Sequence, residues 1–412
     1  MTDEFPTPRY SIVILNAPAE RRTRSTLPIA QELRRRGHRI TYVTTRDFAP
    51  RAVAAGVDVL VHESCPTYGL EVDTWACGGT ADPVSVADTL DCAEDIHAAL
   101  VDDIPDLVLY DASARITARL LTSRWNRPAV QILPSFAHGD MVVGGDEAPR
   151  AMPDADSAAC VETLPARVRE RLLRFLSPAG KAGISPRDFH TKPEPLSIVL
   201  LPPEFQADSD HFDGHVVFVG PCIPERTMAE RWVPPATDRP IVFLTLDHTF
   251  TGDPQNFLHG CAAAFAEKPF HLVIAADGDP ETLFPEGGQP SVVEVHENVP
   301  QAVVLRRAAA VVCHADPNNV IESLYFNTPL VLVPTSRWQR AVADRVTELG
   351  LGVQVAPEDA DFAALADAVA AVVEDPDITR SVREFQRRVR RAGGARRAAD
   401  EIECYLEWSY GP

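Results

Sequence analysis

A chain of 412 residues is too long for one compact core, because cores stop growing near about 250–300 residues and longer chains divide into domains. Hydrophobic residues make up 45% and charged residues 24% of the chain, which is typical of a soluble globular protein and excludes intrinsic disorder. The 39 basic and 59 acidic residues give a formal net charge of -20, and a field of this sign repels phosphate backbones and anionic lipid. Nucleic acid and membrane surfaces are therefore excluded as partners.

Neither the N-terminus nor the cysteines point to secretion, membrane insertion or metal binding. The segment from Met1 to Tyr10 has no basic region leading into an apolar stretch, and no apolar run approaches the ~18–20 residues of a membrane span. The eight cysteines are scattered without CxxC spacing, so we expect reduced, mostly buried thiols and no metal site. The sequence predicts a cytoplasmic protein.

Alternating strands and helices organise the first half of the chain. Residues 11–15 are a short apolar run rich in β-branched residues, and residues 26–36 carry apolar side chains at helical spacing before Gly37. A second strand at 39–44 completes the crossover unit of a parallel sheet. Further strands are predicted at 57–61, 107–110, 129–133 and 196–201, with helices at 48–55 and 114–124.

A proline-rich, polar segment at 221–240 is typical of a linker, and a second β/α alternation follows it. Its strands are predicted at 241–245, 271–275, 292–295, 309–313 and 330–333, and its helices at 256–267, 300–306 and 319–326. We therefore predict an α/β protein with two doubly wound, Rossmann-like domains that face each other across a cleft. The domains are residues 1–220 and 241–395, and a last helical segment covers 396–412.

Several segments carry a resemblance that runs over nearly the entire chain. They are residues 27–45, 103–111, 293–296 with 299–301, and 393–402. The chain resembles the macrolide-type family-1 glycosyltransferases of actinobacteria, with altered catalytic and donor motifs. The resemblance implies the GT-B fold, and it implies transfer of a sugar from a UDP- or TDP-sugar to a natural-product hydroxyl with inversion, without a metal or a tightly bound cofactor. It also implies that residues 1–220 bind the acceptor, that residues 241–395 bind the nucleotide sugar, and that the last helix packs back on the N-terminal domain.

The general base that such a reaction needs would be an unusual residue in this chain. An acceptor hydroxyl is a poor nucleophile, so a general base must take its proton. In the family this base is a His after the first strand, oriented by an Asp at the end of a later strand; Asp111 matches the Asp, and Glu20 occupies the position of the His. Two close carboxylates repel each other, which would raise one apparent pKa. The residues leave two other interpretations open, in which Glu20 is a solvated loop residue and Asp111 is the N-cap of helix 114–124.

A local positive patch follows Glu20. Arg21, Arg22 and Arg24 stand just before the predicted helix N-terminus, where they could bind a carboxylate or phosphate of a ligand. They are equally compatible with surface arginines that balance the acidic exterior.

The resemblance also implies a set of donor-binding positions, several of them altered. His314 and Glu322 match a diphosphate-contacting His and a ribose-contacting Glu, and Gln339 matches a sugar-binding Gln. Trp338 replaces that Gln's acidic partner, and Asn298 replaces a Trp that stacks on the nucleobase. The set as a whole is Asn298, His314, Asn318, Asn319, Val320, Glu322, Trp338 and Gln339. His314 as a strand-end cap and Glu322 as a helix-surface charge are alternative interpretations.

The turn that precedes the donor helix is altered in a way that opposes an anion. Relatives bind the diphosphate with backbone N–H groups of a glycine-rich turn at a helix N-terminus. Here Asp316 adds a negative charge, and Pro317 has no N–H to donate.

Three functions follow from these residues. The first is glycosyl transfer with a reshaped donor pocket, for which we expect a small-molecule natural-product substrate and leave a homodimer open. The second is a different reaction on a biosynthetic intermediate, with Glu20, Asp111, Asp247 and His248 as acid/base groups. The third is a catalytically silent binding protein.

Overall fold

A computed structural model describes most of the chain, and this part forms two compact units. The described residues are 10–16, 20–62, 83–137, 165–176, 194–207, 209, 212, 214–223, 232–245, 254–275, 291–296, 299–357 and 362–411. Unit 1 comprises Met1–Ile223 together with Ala392–Pro412, and unit 2 comprises Pro224–Arg391. The predicted linker at 221–240 is thus divided between the two units.

Unit 1 is built on a seven-stranded parallel sheet in the order β3-β2-β1-β4-β5-β6-β7. The strands are β1 (Ser11–Leu15), β2 (Arg39–Thr44), β3 (Asp58–Val61), β4 (Leu107–Asp111), β5 (Ala129–Leu133), β6 (Ser197–Val199) and β7 (Val216–Phe218). The helices are α1 (Glu20–Arg35), α2 (Ala49–Ala54), α3 (Pro83–Leu100), α4 (Arg115–Trp125) and α5 (Ala166–Leu176), with α12 (Gly394–Tyr410) from the C-terminus.

Both faces of this sheet are covered, which explains why its central strands are apolar throughout. Side chains alternate along a strand. Val13 therefore faces a core formed with α3, α4 and α5, whereas Ile12 faces a second core formed with α1 and α12. The unit has the doubly wound architecture that the alternation of strands and helices predicts.

Unit 2 is a six-stranded parallel sheet in the order β10-β9-β8-β11-β12-β13. The strands are β8 (Ile241–Thr245), β9 (His271–Ala275), β10 (Val293–His296), β11 (Ala308–Cys313), β12 (Leu330–Leu332) and β13 (Gly352–Gln354). The helices are α6 (Pro254–Ala266), α7 (Gln301–Leu305), α8 (Pro317–Tyr325), α9 (Arg337–Glu348), α10 (Phe362–Glu374) and α11 (Pro376–Arg391).

The C-terminal helix α12 is fastened to α1 by apolar packing and by one arginine. Ile402 and Leu406 are fully buried in the core that contains α1. The guanidinium of Arg36 donates to Asp400 at 2.6 Å and to Glu403 at 2.5 Å, and it also donates to Glu32 at 2.9 Å. Arg36 thus joins the end of α1 to α12 through three carboxylates.

We expect Arg36→Ala to lower the free energy of unfolding by roughly 1.5 kcal/mol, because it removes a partly buried cation that bridges Glu32 and the mostly buried Glu403 carboxylate. Chemical denaturation at pH 7 measures this change. Arg380→Ala is the matched control, since its ion pair with Asp377 is 65% and 77% exposed and contributes less than about 0.5 kcal/mol. Equal losses in the two variants would contradict the role assigned to Arg36.

His271, at the start of β9, should make unit 2 less stable in mild acid. Burial lowers the pKa of His271; the carboxylate of Glu294, 3.5 Å away, partly opposes this shift, and Arg239 adds to it. The unfolded chain then binds a proton more readily than the folded one, so stability falls as the pH drops below about 6.5, by at most about 1.4 kcal/mol per pH unit.

The pH dependence of urea unfolding, measured between pH 7.5 and 5, tests this expectation. His271→Gln should lose less stability on acidification than the unsubstituted protein. The same change at His259, an exposed residue of α6, should keep the original pH dependence. If the slopes of all three proteins coincide, His271 does not titrate as described.

Candidate functional site

The strand order of unit 1 reverses between β1 and β4. The chain runs outward from β1 to β2 and β3, and β4 then pairs with the other edge of β1. In open parallel sheets, ligands bind outside the carboxyl ends of the strands at such a switch point. The register pairs Leu15 with Tyr110, so the next residues along the two strands are Asn16 and Asp111. Both are buried polar residues at the position where a ligand crevice is expected.

Asp111 is fully buried at the end of β4. Its Oδ1 accepts hydrogen bonds from the backbone N–H of Ser113, at 2.9 Å, and from the Ser113 hydroxyl. Both donors lie in the 3₁₀ turn Ala112–Ala114, so the turn fixes the carboxylate in one orientation. The interpretation of Asp111 as the N-cap of the following helix is wrong, because the N-cap of α4 is Ala114.

Asn16 belongs to a buried polar cluster that joins β1, α1 and β2. Its Nδ2 donates to the Tyr42 hydroxyl at 2.6 Å and to the Thr26 hydroxyl at 3.2 Å, and the two hydroxyls lie 2.6 Å apart. Burial raises the pKa of Tyr42, polar contacts with Thr26, Asn16 and Thr23 partly offset this rise, and the charge of Asp111 adds to it. Tyr42 therefore stays a neutral phenol that can donate a hydrogen bond.

Glu20 and the three arginines that follow it lie in a helix rather than in a loop. Helix α1 begins at Glu20, six residues before the predicted start, so Arg21, Arg22 and Arg24 occupy its first two turns. The interpretation of Glu20 as a loop residue is therefore wrong. The side chains of Glu20, Arg21 and Arg22 lie outside the described part of the structure, whereas Arg24 is half-buried.

The strand order of unit 2 reverses between β8 and β11, which puts the segment after β11 at its switch point. His314, directly after β11, is 5% exposed, and its Nδ1 lies 2.9 Å from the carbonyl oxygen of Val333. The hydrogen bond requires a proton on Nδ1, so the neutral ring carries its acceptor lone pair on Nε2. His314 thus ties the end of β11 to the segment after β12, as the strand-end interpretation predicts.

Helix α8 begins with an internal cap. Asp316 is its N-cap, and the Asp316 carboxylate accepts the backbone N–H of Asn318 at 3.0 Å. Pro317 stands at the first helical position, where its missing N–H costs no intrahelical bond. Asp316 is 7% exposed, so the end of this helix that favours anions already holds a carboxylate of the chain itself.

Glu322 is held by a residue that sequence reasoning did not include among the site residues. The Nε2 of Gln301, at the start of α7, donates to Glu322 at 3.1 Å and to Asn319 at 3.2 Å. Glu322 is 8% exposed, so the interpretation as a helix-surface charge is wrong. The Val299-Pro-Gln301 segment, one of those that carry the family resemblance, contains the sequence signal for Gln301.

Gln339 has a structural role in capping the start of α9. Ser336 accepts the backbone N–H of Gln339 at 3.2 Å, and the Gln339 Oε1 accepts the backbone N–H of Thr335 at 2.8 Å and that of Ser336 at 3.3 Å. This is a capping box, and its signature, Ser336-x-x-Gln339, is readable in the sequence. The neighbouring Trp338 is half-buried.

Two of the remaining candidate residues lie in helix α8, and the other three lie outside the described residues. Asn318 is half-buried in the first turn of α8, and Val320 is fully buried and donates its N–H to the carbonyl oxygen of Asp316. Asp247, His248 and Asn298 lie outside the described residues.

Within the described ranges, no group of three or more His, Cys, Asp and Glu side chains is placed to hold a metal ion. None of the helices described here is both long and apolar enough to cross a membrane.

Comparison with known proteins identifies the family. The C-terminal domain of the erythromycin biosynthesis protein CIII-like family matches residues 274–402. The oleandomycin glycosyltransferase of Streptomyces antibioticus is 34% identical over 403 residues, which cover 96% of this chain and 90% of that enzyme.

Solved structures extend the likeness to the fold. The calicheamicin glycosyltransferase CalG4 matches with a TM-score of 0.78 and 31% identity, over 98% of this chain and 100% of that one. The spinosyn rhamnosyltransferase SpnG, solved with thymidine diphosphate, shares the fold at 17% identity with a TM-score of 0.68, over 96% of this chain and 100% of that one. Since the similarity to the oleandomycin enzyme runs from end to end, the chain belongs to the macrolide-type family-1 glycosyltransferases, enzymes of the GT-B fold.

Proposed function

We propose that this enzyme transfers a sugar from a nucleoside diphosphate sugar to a hydroxyl of a small-molecule natural product, with inversion at the anomeric carbon. The relatives are glycosyltransferases of antibiotic pathways, and this similarity does not favour a redirected reaction or a silent binding protein. A cytoplasmic location belongs to the same proposal, because nucleotide sugars are the expected cosubstrates.

The reaction requires one proton transfer and one displacement. The acceptor O–H proton passes to a carboxylate as the acceptor oxygen forms a bond to the anomeric carbon. The bond from that carbon to the diphosphate oxygen breaks on the opposite face, and the nucleoside diphosphate leaves with the electron pair. No metal is required if donors of the protein stabilise the leaving charge.

The observation that carries the proposal is the buried carboxylate of Asp111 at the switch point of unit 1. It is fully buried and oriented by the two Ser113 donors, and it ends the strand next to β1, after which Glu20 opens α1. When two acidic residues lie near the same end of a sheet, one carboxylate can take the proton while the other orients or polarises the first. We therefore assign Glu20 and Asp111 jointly to deprotonation of the acceptor.

Donor binding is assigned to unit 2, in the segment after β11. SpnG, which shares the fold, was solved with thymidine diphosphate, and this supports a UDP- or TDP-sugar as the cosubstrate. We propose that His314 contacts the diphosphate through Nε2, which must then carry a proton in addition to the one on Nδ1, because diphosphate oxygens only accept hydrogen bonds. We also propose that the Gln301–Glu322 pair contacts the ribose. Trp338 and Gln339 are proposed to lie near the sugar, and Gln339 contributes through the amide nitrogen, since its oxygen serves the capping box.

Nucleotide titration tests donor binding. We expect UDP or TDP to raise the melting temperature, since a ligand at one hundred times its Kd stabilises the folded state by about 2.7 kcal/mol. The product formed from TDP-glucose or UDP-glucose with hydroxylated aromatic and macrolide acceptors should carry the inverted configuration, which NMR coupling constants report. No thermal response to any nucleotide would contradict the proposed function, and a retained configuration would contradict the mechanism.

A further inference from the structure

The cluster formed by Asn16, Thr26 and Tyr42 lies beside the proposed base but includes none of the candidate residues of the reaction. All three side chains are at least 97% buried, and the hydroxyl of Tyr42 is the point where the contacts converge. A buried polar cluster joined by short hydrogen bonds is a rigid feature, because displacement of one member breaks bonds that its apolar surroundings cannot replace.

Each member of the cluster belongs to a different element of unit 1. Asn16 follows β1, Thr26 lies in the second turn of α1, and Tyr42 lies near the end of β2. The hydrogen bonds of 2.6–3.2 Å among them therefore fix the N-terminal part of α1 to the carboxyl ends of two strands. Thr23, one turn before Thr26, is 1% exposed, so the same side of the helix stays against the sheet edge up to its first turn.

The cluster lies near the positions of both proposed acidic residues along the strands and helix α1. Asn16 follows the residue paired with Tyr110, so it lies level with Asp111 on the neighbouring strand, and the charge of Asp111 is near enough to act on Tyr42. Glu20 opens α1 one helical turn before Thr23. The cluster therefore controls where the first turn of α1 lies relative to Asp111.

We propose that Asn16, Thr26 and Tyr42 are positioning residues, which hold the first turn of α1, with Glu20, in a fixed place at the edge of the sheet beside Asp111. The inference rests on the proposed function, since it explains how two acidic residues from separate elements stay in register for one proton transfer. An error of about 1 Å in such a placement can lower the rate by roughly 100-fold.

The test uses Tyr42→Phe, with Tyr110→Phe as the matched control. Both tyrosines are fully buried in neighbouring parts of one sheet, and Tyr110 also makes a hydroxyl hydrogen bond, at 2.8 Å to Glu194. The two side chains contribute to different cores, on opposite faces of the sheet. A loss that came only from a missing buried hydroxyl would therefore appear in both variants.

The first readout is amide hydrogen exchange of residues 20–27, which needs no substrate. We expect at least fivefold faster exchange of these amides in Tyr42→Phe and no change there in Tyr110→Phe. Unchanged exchange in Tyr42→Phe, or equal acceleration in both variants, would overturn the proposal.

The second readout is the release of TDP or UDP from TDP-glucose or UDP-glucose. The sugar acceptor is either water or the hydroxylated aromatic and macrolide compounds named above. Tyr42→Phe should lower kcat by about 10- to 100-fold with an unchanged KM for the donor, since unit 2 binds the donor. The control should stay within about twofold. An equal effect on kcat in both variants, or a loss that appears only in KM, would overturn the positioning role.

A double-variant cycle with Thr26→Val, which removes a hydroxyl at nearly constant volume, completes the test. If the two hydroxyls act as one unit, the double variant should lose no more activity than either single variant. Independent, multiplicative losses would overturn the inference. If the unsubstituted enzyme transfers no sugar to any acceptor, the proposed function fails, while the exchange measurements still decide whether the cluster holds α1.

Discussion

Asp111→Asn should reduce kcat for sugar transfer by about 10²- to 10⁴-fold, while the Kd for UDP or TDP stays within about twofold. General base catalysis is typically worth this factor. The amide oxygen of Asn can still accept the N–H and the hydroxyl of Ser113, so the substitution removes the charge and basicity while the local fold persists. Donor affinity should persist because the donor is assigned to unit 2.

A parallel Glu20→Gln variant tests how the two acidic residues share the proton transfer. If Glu20 takes the proton and Asp111 orients it, both variants should fall by similar factors, and the double variant should fall little further, since residues that act as a unit are not additive. Melting temperatures of both variants provide the control for folding. A loss of only a few-fold in Asp111→Asn would contradict its role in proton transfer.

Asp316→Asn should strengthen binding of UDP or TDP by roughly 30-fold, about 2 kcal/mol. The carboxylate of Asp316 caps α8 at the switch point of unit 2, and it would repel a diphosphate bound there as proposed. An interaction between unit charges about 8 Å apart at an effective dielectric constant of about 20 has this magnitude. Asn caps helices as well as Asp does, so the stability of unit 2 should change little.

The chain provides a matched control for this experiment in the same unit. Asp375 accepts the backbone N–H of Asp377 at 2.7 Å and precedes Pro376, the first residue of α11, so the same Asp-Pro arrangement opens another helix. Asp375→Asn should leave nucleotide affinity unchanged in calorimetric titrations. Equal affinities in both variants and the unsubstituted protein would show that Asp316 does not face the diphosphate.

The sequence predicted most strands within one or two residues, because apolar runs of β-branched residues bounded by polar turns have few other interpretations. It did not predict the start of α1. The apolar spacing at Leu27, Ala30 and Leu33 suggested a start close to residue 26, whereas α1 begins at Glu20 and includes Pro28 in its interior. Burial of Thr23 and Thr26 against Tyr42 is a tertiary contact, and local propensity carries no information about it.

The candidate site was predictable only in part. Asp111 and His314 could be placed at strand ends, since such residues meet at one edge of a parallel sheet. The tasks of Asp316 and Gln339 were also readable in principle, because an Asp-Pro pair and a Ser-x-x-Gln spacing are local capping signals. The pairing of Gln301 with Glu322 and the burial of Glu322 depend on how α7 packs near α8, which no local pattern encodes.

The sequence by itself determined the class of the fold, most of its strands and the family resemblance, because periodicity, turn residues and local motifs are properties of short segments. Only the tertiary structure decided that Glu20 opens a helix, that Asp111 binds the turn after its own strand, and that Asn16, Thr26 and Tyr42 meet. Asn16, Thr26 and Tyr42 are separated along the chain and come together only when the parallel sheet sets its register, since hydrogen bonds between side chains depend on distances that the packed strands and helices fix.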